Sequence, residues 1–200
     1  IIIICIFKLQ KQEDCRMNHS DLRVIKTKRA LSQSLFTLLD KKEFSGITVN
    51  QICEDALVHR TTFYKHFYDK YDLLIYLVTD LTNGFFSADI SDRINKPFST
   101  MFESCTNVEF LERISRKQEN DRELEETLVN HFITVLQNDI KKHEHRITVD
   151  DKIPSELIFY IYGSTLHGIM SWKNDYNMDL SPHELDKIYH TLINIKVQDD

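Results

Sequence analysis

The run Thr48–Leu74, TVNQICEDALVHRTTFYKHFYDKYDLL, leaves this chain few architectures. Val49, Ile52, Cys53 and Ala56 recur at spacings of three and four, which lays one apolar stripe along a short helix. Thr48 stands at its N-cap, where a hydroxyl accepts from an orphan amide of the first turn. Ala56-Leu57-Val58 interrupts the pattern, and Arg60 to Phe67 opens a second helix. There Phe63 and Phe67, four apart, face inward with Val58 beneath them. Arg60, Thr61, Thr62, Tyr64, Lys65 and His66 are left on the outer side, all of them donors or cations. A short helix with an apolar back and a donor-rich front has what reading a major groove requires. The spacing predicts a DNA-binding helix-turn-helix.

Roles within it can be ranked. Arg60 and Thr61 lie in the first turn and are expected to read base edges, the arginine favouring guanine. Thr62, Tyr64, Lys65 and His66 are expected to hold phosphates, as are Thr48 at one helix start and Lys70 at the next. For Tyr64 and His66 the competing assignment is core packing; for Phe63 and Phe67 core packing is the expectation.

The same residues resemble the TetR/AcrR family of bacterial one-component regulators. That family's segment runs T-V-x-x-I-x-x-x-A-G-V-S-x-x-T-x-Y-x-H-F-x-x-K-x-x-L. Thr48, Val49, Ile52, Ala56, Val58, Thr62, Tyr64, His66, Phe67, Lys70 and Leu73 fall in matching places. Two departures stand out. Leu57 replaces the turn glycine, so a left-handed backbone there would carry a strain of roughly 1 kcal/mol. His59 replaces the serine cap, which weakens the N-terminus of the second helix. The resemblance implies a small-molecule effector cavity in the C-terminal body and a homodimer formed through the last two helices. The segment Tyr162 to Trp172 also resembles, more distantly, the subgroup of regulators linked to dihydroxyacetone kinase operons.

Charge is distributed in keeping with one DNA-facing end. The net charge is −6, yet residues 17–75 carry +2 and residues 76–200 carry −9. A mildly basic head on an acidic body fits phosphate contact through the head alone. Gly and Pro together number seven in 200 residues, a composition that favours long helices. Cys5, Cys15, Cys53 and Cys105 have no paired ligand spacing, so neither a disulfide framework nor a zinc site is expected, and a reducing cytoplasm is. The opening Ile-Ile-Ile-Ile-Cys-Ile-Phe is too short to cross a bilayer and lacks the flanks of a secretory signal. Residues 1–16 are expected to be a disordered upstream extension or an expression remnant, since Met17 looks like a natural start.

The predicted class is all-α: a DNA-binding domain over 17–70, joined by a shared helix to a ligand-binding and dimerisation body over 71–200. The first helix is expected over Asp21–Asp40, closed by Lys41–Gly46 with Gly46 supplying the turn. A helix from Lys70 to Phe86 would run out of the head into the body. Beyond a polar break at 87–95, short helices follow Pro97 and surround Val108–Ile114, with a polar run after them over 116–122. Long helices are expected over Glu123–His143 and from Pro154 past Trp172, and a last one from Ser181, where Ser, Pro and Glu spell a strong start. Gly163 and Gly168 would admit close approach of another helix. Phe98, Phe102, Phe110, Phe132, Tyr160 and Trp172 are the candidates for lining an effector cavity.

Catalysis has little support. His143-Glu144-His145 places two histidines two apart rather than four, so on a helix they diverge instead of sharing a metal. No phosphate-binding glycine loop, nucleophile elbow or cysteine-pair site occurs in the sequence. No cofactor, metal or membrane partner is expected. The expected function is that of a cytoplasmic, dimeric, sequence-specific regulator on a double-stranded operator, a repressor released by an effector. The competing function is a coactivator of the same fold controlled by a partner protein; an enzyme would require turnover and no footprint.

Overall fold

The computed structural model of the chain describes residues 19–104, 113–114, 116–148, 152–193 and 196–197. The expected extension over 1–16, Cys105, Phe110 and most of the helix expected around Val108–Ile114 lie outside the described residues. The helices are α1 (His19–Leu39), α2 (Val49–Asp55), α3 (Arg60–Phe63), α4 (Lys70–Phe86), α5 (Ile90–Asn95), α6 (Pro97–Glu103), α7 (Arg122–Lys142), α8 (Ser155–Asp175) and α9 (Pro182–Leu192), with a 3-10 turn at Phe44–Gly46. A two-residue antiparallel pairing, β1 (Ile147–Thr148) with β2 (Lys196–Val197), sets Ile147 opposite Val197. The architecture is all-α. No helix among the described residues is long and apolar enough to cross a membrane.

Helix starts follow local chemistry. Asp69 accepts from the amides of Tyr71 and Asp72 to open α4, and Asp121 accepts from Leu124 to open α7. Ser181 and Glu184 close a reciprocal capping box at α9, with Pro182 in the first turn. The α6 start has no cap of its own. Asp186 of α9 supplies one from a distance, accepting from Phe98 N at 2.8 Å and Ser99 N at 3.2 Å. A buried carboxylate thereby satisfies two orphan amides of another helix.

Head and body share one hydrophobic core. Leu31 and Leu35 of α1, Phe44, Ile52, Phe63 and Phe67 pack with Leu73, Leu74 and Leu77 of α4, and Leu81 and Phe85 continue the same cluster into the body. The element that joins the two parts is therefore a packed helix rather than a linker. In the body α7 lies along α8, Leu128, Phe132, Leu136 and Ile140 joining the cluster that holds Ile158, Tyr162, Leu166 and Ile169.

One glycine expectation changes and another is met inside the chain. Gly46 sits in the 3-10 turn without a positive φ and with open space around it, so glycine is not required there. Gly163 serves a contact inside the chain: a Cβ there would lie 3.3 Å from Leu136 and 3.4 Å from the Ile133 backbone of α7. Gly168 is exposed, with nothing within 4 Å of where its Cβ would stand. Gly163→Val, which forces a branched side chain into the α7–α8 contact, should destabilise the chain by about 1–3 kcal/mol. A lowered urea midpoint at unchanged slope is the expected reading.

The polar stretch 87–95 holds a helix where a break was expected. Asp89 caps α5 and accepts a bidentate pair from Arg146 at 3.0 and 3.2 Å. Ile90 and Ile94 are buried, and buried Arg93 pairs with Asp139 of α7 while donating to Ala88 O at 3.0 Å. Tyr162 of α8 donates to Arg93 O at 2.8 Å. Tertiary partners, rather than apolar periodicity, hold this helix.

A polar seam joins head to body. Gln118 is buried; its Oε1 accepts from Phe44 N at 2.9 Å, and its Nε2 donates to Leu39 O at 2.7 Å and Lys42 O at 2.8 Å. Asp121 accepts from Ser45 N at 2.7 Å. Burial works to raise the Asp121 carboxyl, but the amides of Ser45 and Leu124 hold it below its ordinary value. Arg113 forks onto Asp40 at 2.6 and 3.0 Å.

Candidate nucleic-acid interface

Thr48 opens α2 as expected, and the cap is reciprocal: Gln51 N donates to Thr48 Oγ1 at 3.3 Å, and Thr48 N donates to Gln51 Oε1 at 3.0 Å. The Thr48 side chain accepts in this box and is exposed, so its own O–H can still donate to an outside acceptor. Ile52 and Cys53 are buried beneath, and Ser34 of α1 donates to Ile52 O at 2.9 Å. Burial pushes the Cys53 thiol up, in keeping with a small core residue.

The turn after α2 is a Schellman closure built without glycine. Val58 N donates to Cys53 O at 2.9 Å and Leu57 N to Glu54 O at 3.2 Å, which requires left-handed backbone at Leu57. Leu57 has φ 54° and is 93% exposed. The end of α8 closes the same way through Asn177 at φ 48°, a residue that tolerates that region better. Leu57→Gly removes strain and almost no burial, so it should raise stability by about 0.5–1 kcal/mol, net of glycine's entropy. Thermal unfolding of the two proteins side by side checks this.

At the start of α3, His59 takes the extended N-cap geometry but makes no side-chain cap bond, as its replacement of serine implied. The helix itself is one turn, Arg60–Phe63. It then tightens: Lys65 N donates to Thr62 O and His66 N to Phe63 O, before Phe67 N returns to Phe63 O at 2.9 Å. The helix expected to continue to Phe67 is thus a turn of α-helix followed by 3-10-like turns. Phe63 and Phe67 are buried, their ring centroids 5.8 Å apart. Lys28 of α1 sets its ammonium over the Phe67 and Tyr76 rings at 5.6 and 5.2 Å.

The opposite side is open. Arg60, Thr61 and Lys65 are exposed, while Thr62 and His66 are half-buried. Tyr64 divides the two assignments weighed for it: its ring stands edge-on to Phe63 at 5.3 Å, yet the side chain is 51% exposed. The Arg60 guanidinium lies 5.6 Å over that ring and donates to Tyr64 Oη at 3.2 Å. Arg60 is thereby held in one orientation, at low entropic cost for a further bond. Asn50, Glu54, Leu57 and His59 line the cleft between α2 and α3 beside Arg60, and sequence reasoning placed none of them in the interface. The i, i+4 pair Asn50 and Glu54 on the outer side of α2 was the available signal.

Lys70 is placed differently from the rest. Its ammonium donates to Phe44 O at 3.0 Å and Ser45 O at 3.1 Å, and pairs with Glu123 of α7 at 3.3 Å. Tyr71 also hydrogen-bonds Glu123. That bond carries the Tyr71 phenol up to about 12 and holds the Glu123 carboxyl below its ordinary value.

The described cavity candidates are divided between the core and the surface. Phe98 and Phe132 are buried in the core and Phe102 packs against it. Tyr160, 65% exposed, and Trp172, also exposed, lie on the outer surface of α8, because α7 covers only one side of that helix. Trp172 instead lines a shallow apolar groove with Thr165, Gly168, Ile169, Ile188 and Leu192 across α8 and α9. Among the described residues no three His, Cys, Asp or Glu side chains converge as a metal site. His143 bonds Asp139 O through Nδ1 at 2.9 Å.

No protein-family model matches the chain. Over 55 residues it is 36% identical to an uncharacterised HTH-type transcriptional regulator, YxbF, of Bacillus subtilis (strain 168). That match spans 27% of this chain and 14% of the relative's length. The crystal structure of a TetR transcriptional regulator from Streptococcus agalactiae 2603V superposes on 86% of this chain and 96% of its own, with a TM-score of 0.51 at 24% identity. The chain has the helical fold of that TetR regulator: a helix-turn-helix head fused through a shared helix to a helical body.

Proposed function

We propose that this chain is a sequence-specific DNA-binding transcriptional regulator. The observation that carries this reading is the arrangement of α3, where Phe63 and Phe67 are buried and Arg60, Thr61, Tyr64 and Lys65 stand exposed on the other side. The short match to an HTH-type regulator supports the same reading. Arg60 and Thr61 read base edges; Thr48, Thr62, Tyr64, Lys65 and His66 hold phosphates.

The regulator works as a homodimer through α8 and α9, whose outer surfaces carry the apolar groove and the exposed Leu157, Tyr160 and Leu192. Two heads then enter successive major grooves, about 34–36 Å or a further turn apart. It is a repressor released by a small-molecule effector: binding in the body favours a shape whose heads no longer match that spacing. The shared α4 and the polar seam support transmission of such a change. Genome-wide footprinting with purified protein tests the reading. Protection of discrete sites with paired half-sites is expected; uniform, salt-sensitive coverage without preferred sites would refute sequence specificity.

A further inference from the structure

Lys70 is the first residue of α4, where a cation meets the positive end of the helix dipole. Its ammonium has three N–H donors. Three acceptors engage it: Phe44 O at 3.0 Å, Ser45 O at 3.1 Å and Glu123 Oε1 at 3.3 Å. While Glu123 is in place, the charge of Lys70 is already paired with a carboxylate, and a DNA phosphate must compete for it. Two of those acceptors belong to the head and travel with Lys70. The third comes from the first turn of α7, in the body. Ser45 lies three residues before Thr48, so the lysine sits on the edge of the head where α2 begins.

Two further contacts hold Glu123 and its turn in place. Tyr71 hydrogen-bonds its carboxylate from the side. Asp121, two residues earlier, accepts from Ser45 N at 2.7 Å and ties the start of α7 to the same turn. The Glu123 side chain is 44% exposed against 15% for Lys70, and an ion pair so open to water is weak enough to be exchanged for another anion. From there α7 runs through Leu128, Phe132, Leu136 and Ile140 into its packing with α8, so a rearrangement of the body moves Glu123 as part of one helix.

We propose that Glu123 is an autoinhibitory anion: a carboxylate delivered by the body that occupies the head's Lys70 in the place a DNA phosphate takes, so that the position of α7 sets the affinity of the head for duplex. This rests on the DNA-binding reading of α3. When α7 holds Glu123 against Lys70 and Tyr71, the head has one phosphate contact fewer; when α7 withdraws, the lysine is released to the duplex.

The test uses the full chain and a duplex that the wild-type protein selects from a randomised pool, with affinity followed across a salt series. Glu123→Gln should bind a few-fold more tightly at low salt, with a log–log slope steeper by about one per head. Tyr71→Phe keeps the ring beside Lys70 but loses the hydroxyl, and should move in the same direction. On a Lys70→Met background, Glu123→Gln should add nothing. Glu125→Gln, which removes another carboxylate of the same first turn, should leave the slope unchanged. An unchanged or shallower slope in Glu123→Gln, or a gain that persists without Lys70, overturns the autoinhibition and leaves the DNA reading standing, because selection of a duplex by the wild type tests that reading separately. A wild type that selects no duplex overturns both.

Discussion

Arg60→Ala is expected to lower affinity for a selected duplex by at least about thirtyfold while leaving the unfolding midpoint unchanged. Arg60 is exposed and, among the described residues, its ring contact and hydrogen bond are with Tyr64, so its removal costs the fold little. Its loss at the interface is large because a bidentate arginine–guanine contact is worth about 1–3 kcal/mol and a dimer makes it twice. The loss should be selective: substitution of the base pair that Arg60 reads should no longer matter to the variant. Tyr64→Ala should weaken binding as well, since it frees Arg60 from its fixed orientation and removes an outward hydroxyl. It should also lower stability slightly, because the ring packs edge-on against Phe63. Retained footprints in both variants would refute the reading surface assigned to α3.

Gln118→Ala should have the largest effect on stability, about 2–4 kcal/mol. The side chain makes three hydrogen bonds to the segment that links α1 to the 3-10 turn. Truncation strands the amide of buried Phe44 and the carbonyls of Leu39 and Lys42, and each unsatisfied buried group costs about 1–3 kcal/mol before water reaches it. Gln118→Glu separates the parts of this effect. It keeps an acceptor for Phe44 N but sets a carboxylate against two carbonyl oxygens, so it too should destabilise. Urea unfolding followed by circular dichroism reads both variants. A midpoint unmoved by Gln118→Ala would mean that this glutamine does not hold head to body.

Most helices were legible because their starts are written in local chemistry. Thr48 and the Ser181-Pro182-Glu184 trio satisfy orphan amides within a turn, and neighbouring apolar residues supply the period. The α2–α3 unit was legible for the same reason, while the left-handed Leu57 was legible only through the resemblance, which sets a glycine at that place in the turn. What periodicity hides is polar burial. Gln118 and Asp121 sit in a stretch that reads as a wet polar run, yet both are buried because their partners are backbone groups 74 to 79 residues away in sequence. Arg93 and α5 are hidden likewise, held by Asp139 and Tyr162 from helices not yet in sight along the chain.

The outward positions show the opposite failure. Tyr160 and Trp172 look like cavity lining because aromatics on an apolar helix are usually covered, but pairing of α8 with α7 leaves one side of α8 uncovered. Gly163 admits another helix as its size suggests, and that helix is α7 of the same chain. For Lys70 the motif position was readable, whereas its carboxylate partner lies 53 residues on, in another part of the chain.

The most direct test is photocrosslinking from α3 into a selected duplex. A photoreactive side chain at Thr61, which is exposed in the first turn of α3, should give adducts to bases in two stretches about one or two helical turns apart. The same group at exposed Glu156, at the start of α8 beside the end of α7 that lies away from the head, should give none. Adducts from Glu156 but not Thr61, or none from either under conditions where the duplex is bound, would contradict the placement of α3 in the groove.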